Sequence, residues 1–253
     1  MDLLALSPGA GGRGSCPAAS EPEILLIRTF RPRLETLPDE QRRLWPDLAP
    51  TVQLGFALYG GTAIALRLGH RTSVDFDFFS EAPLDRAAIR SALPLVGRSR
   101  VVQDERDAWT MLVPSVAGER SDVKVSFFGG IDFGRVGEPE RTTDGVVVVA
   151  SLVDLLATKV KVVLQRAEAK DYRDIAAMLR AGANLADGLA AAVAMFGGSF
   201  QPSESLRALV FFRDGDLATL GDSDQRLLVN AVTAVRDLPG ARIVSRRLGV
   251  DSS

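Results

Sequence analysis

The stretch "GGTAIALRLGHRTSVDFDFF", residues 60–79, decides how the chain is read. It follows "GFALY", a short strand signal, so Gly60 and Gly61 sit at a turn. The Ala- and Leu-rich "TAIALRLG" then favours a helix closed by Gly69. "SVDFDFFS" alternates Val74, Phe76 and Phe78 against Asp75 and Asp77, a period of two that predicts a strand. The apolar face is expected to be buried, which leaves both carboxylates in open solvent or in a cleft. Side chains two apart on a strand are separated by about 6.6 Å along it. Two ionised carboxylates at that distance repel by roughly 2–3 kcal/mol at an effective dielectric near 20. Solvent screens such a repulsion; a cleft calls for a cation. Mg²⁺, which takes one or two carboxylates plus phosphate oxygens, suits that pair.

The glycines supply the complementary half. Between a strand and a helix they leave backbone N–H groups and the helix dipole open to an anion. Thr62 adds a hydroxyl, and Arg67, His70, Arg71 and Ser73 add donors nearby. Phosphate at the helix start and metal on the next strand would place a triphosphate between them. Either feature alone is more often plain structure, a turn or a solvated strand edge; their joint order is far more specific. His70 is the single histidine, which excludes multi-histidine metal sites and leaves it to shape the turn or touch a phosphate.

Outward from this stretch, 253 residues suffice for one large domain or two smaller ones. No apolar run approaches the roughly 18 residues of a membrane span. The net charge of −2 means that any polynucleotide contact depends on a local basic patch. Residues 1–20 are Gly-, Ser-, Pro- and Ala-rich, read as a disordered leader without the pattern of a secretory signal. The single cysteine, Cys16, lies there, so no internal disulfide forms and a reducing cytoplasm is the expected location. Residues 21–150 read as a mixed α/β domain. It begins with proline-interrupted helical segments and later carries strands at "SRVVQDE", "AWTMLVP", "DVKVSFFGGI" and one more at "RTTDGVVVVAS". Residues 151–250 read as a helical domain, opened by "SLVDLLATKVKVVLQRAEAKDYRDIAAMLRAG" as one helical run with Ser151 and Asp154 at its start. An exposed helix face laced with ion pairs among Arg166, Lys170 and Asp174 is the bland reading of its charges.

"LYGGTAIALRLGHRTSVDFDFF" resembles the first motif of the AbiEii/AbiGii nucleotidyltransferase toxin family. "LLATKVKVVLQRAEAKDYRDIAAML", with its R-x3-K-D-x2-D, resembles that family's distal signature. The resemblance covers roughly residues 50–240. It implies the DNA polymerase β-like nucleotidyltransferase fold: an α/β (α+β) unit with a mixed sheet flanked by helices, followed by a helical C-terminal half. It also implies Mg²⁺- or Mn²⁺-dependent transfer of NMP from an NTP to a hydroxyl acceptor, an RNA such as tRNA. Such a protein is typically the toxin of a type IV-like toxin–antitoxin system, partnered by an antitoxin from a neighbouring gene; the lack of a long apolar run leaves no membrane association expected.

Carried over residue by residue, the resemblance makes Gly61 and Thr62 the phosphate cradle, to which the residues themselves add Gly60, Arg71 and Ser73 as nucleotide contacts. Asp75 and Asp77 become the metal ligands. Lys159, Arg166, Lys170, Asp171 and Asp174 become nucleotide, acceptor or catalytic contacts. The cations would neutralise charge developing on the phosphates, and Asp171 or Asp174 would position or deprotonate the attacking hydroxyl.

This chain departs from the superfamily at one point. A third carboxylate, usual on a neighbouring strand, is not central in "SDVKVSFF", where Asp122, Lys124 and Ser126 alternate on one face. Either Asp122 serves as a further metal ligand, or Lys124 binds phosphate in place of a second metal, or Lys124 only pairs with Asp75 or Asp77. The departure keeps a second reading open, a non-catalytic module that binds nucleotide or a partner. A kinase reading is weaker: "GHRTSVD" echoes a kinase catalytic loop without its spacing or context.

Overall fold

The computed structural model describes residues 28–115 and 122–250. The expected leader, with Cys16, lies outside them. In chain order the sheet and helices begin with β1 (Thr29–Phe30), α1 (Asp39–Leu44), α2 (Pro50–Gln53), β2 (Ala57–Tyr59), α3 (Gly60–Leu68) and β3 (Asp75–Phe79). They continue with α4 (Arg86–Ala92), β4 (Arg100–Glu105), β5 (Ala108–Val113), β6 (Val123–Phe128), β7 (Glu140–Thr142) and β8 (Val148–Val149). Five helices follow: α5 (Leu152–Val162), α6 (Ala169–Arg180), α7 (Leu185–Phe196), α8 (Pro202–Ala208) and α9 (Asp222–Ala234).

The strands form one mixed sheet in the order β1-β7-β8-β2-β3-β6-β5-β4. Its interior pair β3 and β6 is parallel, with Phe76, Phe78, Val125 and Phe127 turned fully into the core. Phe78 stacks on Phe127 at 5.5 Å, and Phe56 meets Phe127 edge-on at 5.2 Å. This aromatic layer fixes register, because a slip by one residue would put Asp75 and Asp77 into it. α3 starts directly from β2, ends at the left-handed Gly69 (φ 69°), and packs on α5 and α6. A single hydrophobic cluster runs from Leu37 to Leu248 and includes both the sheet and the helices that follow it. The chain's last described stretch returns to the sheet side: Leu248 is buried there, its N–H donates to Glu81, and Arg135 donates to the Arg247 carbonyl at 2.9 Å.

Four local expectations are corrected. Thr29–Phe30 is a strand, not part of a helix, because it finds a parallel partner in β7 more than a hundred residues away. "RTTDGVVVVAS" is two short antiparallel strands, β7 and β8, bent at Asp144–Gly145, where Gly145 takes φ 75°. Val74 is 51% exposed and precedes the strand, so the buried face begins at Phe76. The run 152–180 is two helices. The chain tightens after α5, and the N–H of Ala169 at the start of α6 donates to Asp216 at 2.6 Å. That cap comes from 47 residues downstream, and Glu168, the local cap position, provides none.

Candidate active site

β3 and β6 build the floor of a cleft of about 500 Å³. Their register sets Asp75 beside Lys124, Asp77 beside Ser126 and Phe79 beside Phe128, all on the face opposite the aromatic core. Asp75 is 3.9 Å from the Lys124 ammonium, a loose pair with both side chains substantially exposed. Asp77 lies deeper. Burial pushes its carboxyl above the usual range, Asp75 adds to that, and Lys124 and a hydrogen bond from Ser126 act against it. A desolvated carboxylate beside a second one is a site that a cation would relieve, so the donor chemistry fits a hard divalent ion. Among the described residues no group of three or more carboxylate, histidine or cysteine ligands comes together. Asp122 is exposed just before β6 and does not line the cleft. The arrangement is therefore two carboxylates and a lysine, with further oxygens left for a ligand to provide.

The start of α3 forms one wall. Gly60 has φ 75°, a conformation that favours glycine, and a Cβ there would come within 2.7 Å of Asp77 Oδ2. A Cβ on Gly61 would run into the Arg71 guanidinium. The two glycines thus let the Asp77 carboxylate and the Arg71 guanidinium lie directly over the helix start. Thr62 does something else: it is buried, its hydroxyl donates to the Asp75 carbonyl, and it shares a hydrogen bond with the Ser73 hydroxyl at 2.8 Å. It ties the helix to the strand that carries the aspartates rather than facing the cleft. Arg67 also turns away; it pairs with Glu140 at 2.6 Å and donates to the carbonyls of Val149 and Ala150.

The opposite wall comes from α5, α6 and the turn between them. Asp174 is fully buried and accepts from Arg71 Nε at 2.6 Å, Arg71 Nη2 at 2.9 Å and His70 Nε2 at 2.7 Å. Lys159 Nζ sits 2.6 Å from both Asp174 and Asp171. Arg166 Nε donates to Asp171 at 2.8 Å, and Lys170 pairs with Glu168 at 2.7 Å. Burial alone would raise both aspartates, but their cations win. Asp171 is held below the usual carboxylate range by Arg166 and Lys159, and Asp174 well below it by His70, Arg71 and Lys159. The bland reading, a solvated ion-pair face, gives way to a network centred on the buried Asp171 and Asp174.

Ten of the residues singled out in the sequence line this one cleft: Gly60, Gly61, Arg71, Ser73, Asp75, Asp77, Lys124, Lys159, Arg166 and Lys170. Thr62, Asp171 and Asp174 stand behind it, and Asp122 outside it. Six lysines and arginines line the cleft; four of them, Arg71, Lys159, Arg166 and Lys170, are paired with Asp174, Asp171 or Glu168. Sequence reasoning missed the aromatic lining, Phe79, Phe128, Phe133 and Phe196. A signal was there: β3 and β6 both end in Phe-Phe, and alternation sends the second of each pair to the aspartate face.

A family model described as the nucleotidyl transferase AbiEii toxin of type IV toxin–antitoxin systems matches residues 46–237. The chain belongs to the AbiEii family. The match takes in both walls of the cleft, and a toxin family of this kind implies a cognate antitoxin for its AbiEii members. An uncharacterized protein of Aquifex aeolicus (strain VF5), aq_aa25, is 31% identical over 153 residues, covering 58% of this chain and 69% of its own length. Among solved structures, MenT4, a nucleotidyltransferase toxin from Mycobacterium tuberculosis H37Rv, aligns with a TM-score of 0.48 and 16% identity, over 78% of this chain and 82% of that one. Among the described residues no helix is long and apolar enough to cross a membrane.

Proposed function

We propose that this AbiEii protein moves a nucleoside monophosphate from an NTP to a hydroxyl of an RNA, with help from a divalent metal. The supporting observation is the convergence, on one cleft, of Asp75 and Asp77 with the Gly60–Gly61 helix start and the Arg71 guanidinium. Asp75 and Asp77 would hold Mg²⁺ or Mn²⁺, which supplies Lewis-acid chemistry at the phosphates. The amides at the start of α3 and Arg71 receive the triphosphate. Lys124, Arg166 and Lys170 face the same space and offset negative charge as the acceptor oxygen bonds to the α-phosphorus and pyrophosphate departs. Asp171 and Asp174 take the positioning part of their expected role. Each is committed to cations, and a carboxylate so stabilised is a poor proton acceptor. They fix Lys159, Arg166 and Arg71 in place.

The test is incubation of purified protein with each labelled NTP, Mg²⁺ and total RNA. Label should enter an RNA species with wild type and not with Asp75→Asn. Transfer that survives Asp75→Asn, or no transfer from any NTP, overturns this reading. One observation favours a rival, a nucleotide-binding module without turnover: Lys124 and Ser126 occupy the strand positions where a third carboxylate would complete a two-metal site. Tight NTP binding with no turnover on any RNA would select that rival.

A further inference from the structure

The polar part of the cleft accounts for phosphates and metal but leaves one end unexplained. Along β3 the cleft face reads Asp75, Asp77, Phe79; along β6 it reads Lys124, Ser126, Phe128. Both strands therefore pass from charge to aromatic ring in the same direction and in register. Phe133 and Phe196 complete the aromatic end, with Phe133 meeting Phe196 edge-on at 5.2 Å and Phe79 meeting Phe128 at 5.1 Å. Phe79 is backed by a parallel stack on the buried Tyr59 at 4.8 Å, which holds its ring in place. These four phenylalanines are only partly buried and line the cavity, whereas Phe76, Phe78 and Phe127 on the other face are fully buried. Core packing explains the second group and leaves the first with ring surface open to the cleft.

Resting on the proposed transfer of a nucleotide, we infer that this aromatic end is the subsite for the nucleobase of the incoming NTP. One strand step, about 6.6 Å, separates the Asp77 position from Phe79, a distance that a ribose bridges. With the triphosphate at Gly60, Gly61 and Arg71 and the reacting phosphate beside Asp75 and Asp77, the sugar leads toward the rings, where the base stacks. Stacking is indifferent to hydrogen-bonding pattern because every base has a π-face. This end therefore supplies affinity for the nucleoside as a class and orients it, rather than reading its identity.

Inorganic triphosphate carries the anionic part of an NTP and lacks the base, so it separates this inference from the reading on which it rests. Calorimetry in Mg²⁺ on the full chain compares each NTP with inorganic triphosphate, for wild type, Phe133→Leu and Phe128→Leu. Leucine keeps apolar volume while removing the ring, and thermal unfolding verifies that each variant is folded. NTP affinity should fall by roughly 5- to 100-fold, the range of one lost base–aromatic stack, with triphosphate affinity unchanged. Folded variants that keep full NTP affinity overturn the inference and leave the proposed function standing. So does a wild type that binds NTP no better than triphosphate. A wild type that binds neither ligand removes the proposed function and this subsite with it.

Discussion

Asp75 and Asp77 on β3, and Asp171 and Asp174 on α6, approach the same cleft from two sides, spaced two and three residues apart in sequence. Their surroundings are opposite. The strand pair has one lysine at 3.9 Å and a half-buried member, Asp77, whose carboxyl is raised by desolvation. The helix pair is closed from solvent and saturated by Lys159, Arg166, Arg71 and His70. Under the proposed function, the undercompensated pair facing the cavity receives a cation that arrives with the substrate. A fully compensated pair is prepared to hold its partners still. The number of aspartates in a motif does not tell the two apart; the cations supplied by the rest of the fold do.

The comparison breaks first on activity. Replacing Asp75 and Asp77 together by asparagine should reduce nucleotide transfer by about 10³-fold or more, at the upper end of what loss of preorganised electrostatics costs. It should also abolish growth arrest when the protein is expressed without its antitoxin. Thermal stability should stay level or rise, because mutual repulsion and the desolvation of Asp77 both disappear. A fall in stability comparable to the loss of a buried ion pair would show that the strand pair is structural after all.

Asp174→Ala should behave in the reverse way. Removing it leaves Arg71, His70 and Lys159 facing a buried gap, and breaking such a pair costs roughly 3–5 kcal/mol, to be read from urea unfolding. A change under about 1 kcal/mol, the range of an exposed pair, would mean that the network is solvated in solution. The two pairs also differ in pH sign. Asp171 and Asp174 have depressed values in the folded state. Their contribution is complete above the unfolded carboxylate value near 4 and is lost as pH falls through their folded values. Asp77 has a raised value, so its contribution is present below the unfolded value and is lost as pH rises through the folded one. Wild type should thus lose stability steeply below about pH 4, and Asp174→Asn should show a shallower acid limb in the same unfolding series.

What the sequence disclosed follows the same division. Local periodicity exposed β3, α3 and the shared face of Asp75 and Asp77, because each depends on neighbours a few residues away. The Ser151 cap of α5 was legible for the same reason. The break between α5 and α6 was not, since its cap is Asp216. Nor was the burial of Asp174, whose ligands His70 and Arg71 lie 104 and 103 residues away. Thr62 was read as a cradle hydroxyl from its position after the glycines; only tertiary contact shows it bonded to Ser73 and the Asp75 carbonyl.

The smallest effect tests how the two pairs meet, which is at Gly61. Asp174 holds Arg71 over this residue, and Asp77 occupies the corresponding place over Gly60. Gly60→Ala confronts both φ 75° and an oxygen at 2.7 Å, so it should damage stability and activity together. Gly61→Ala has no such backbone conflict, being absent from the positive-φ glycines. It should displace the guanidinium and weaken NTP binding by roughly tenfold, the worth of one charge-assisted hydrogen bond, with a smaller loss of unfolding free energy than Asp174→Ala, since Lys159 and His70 stay on Asp174. The decisive control is Arg71→Ala. If Arg71 is the group that Gly61 makes room for, adding Gly61→Ala to Arg71→Ala should cost no further affinity. If the two losses add in full, the alanine acts instead by blocking the helix amides, and the phosphate contact belongs to the backbone.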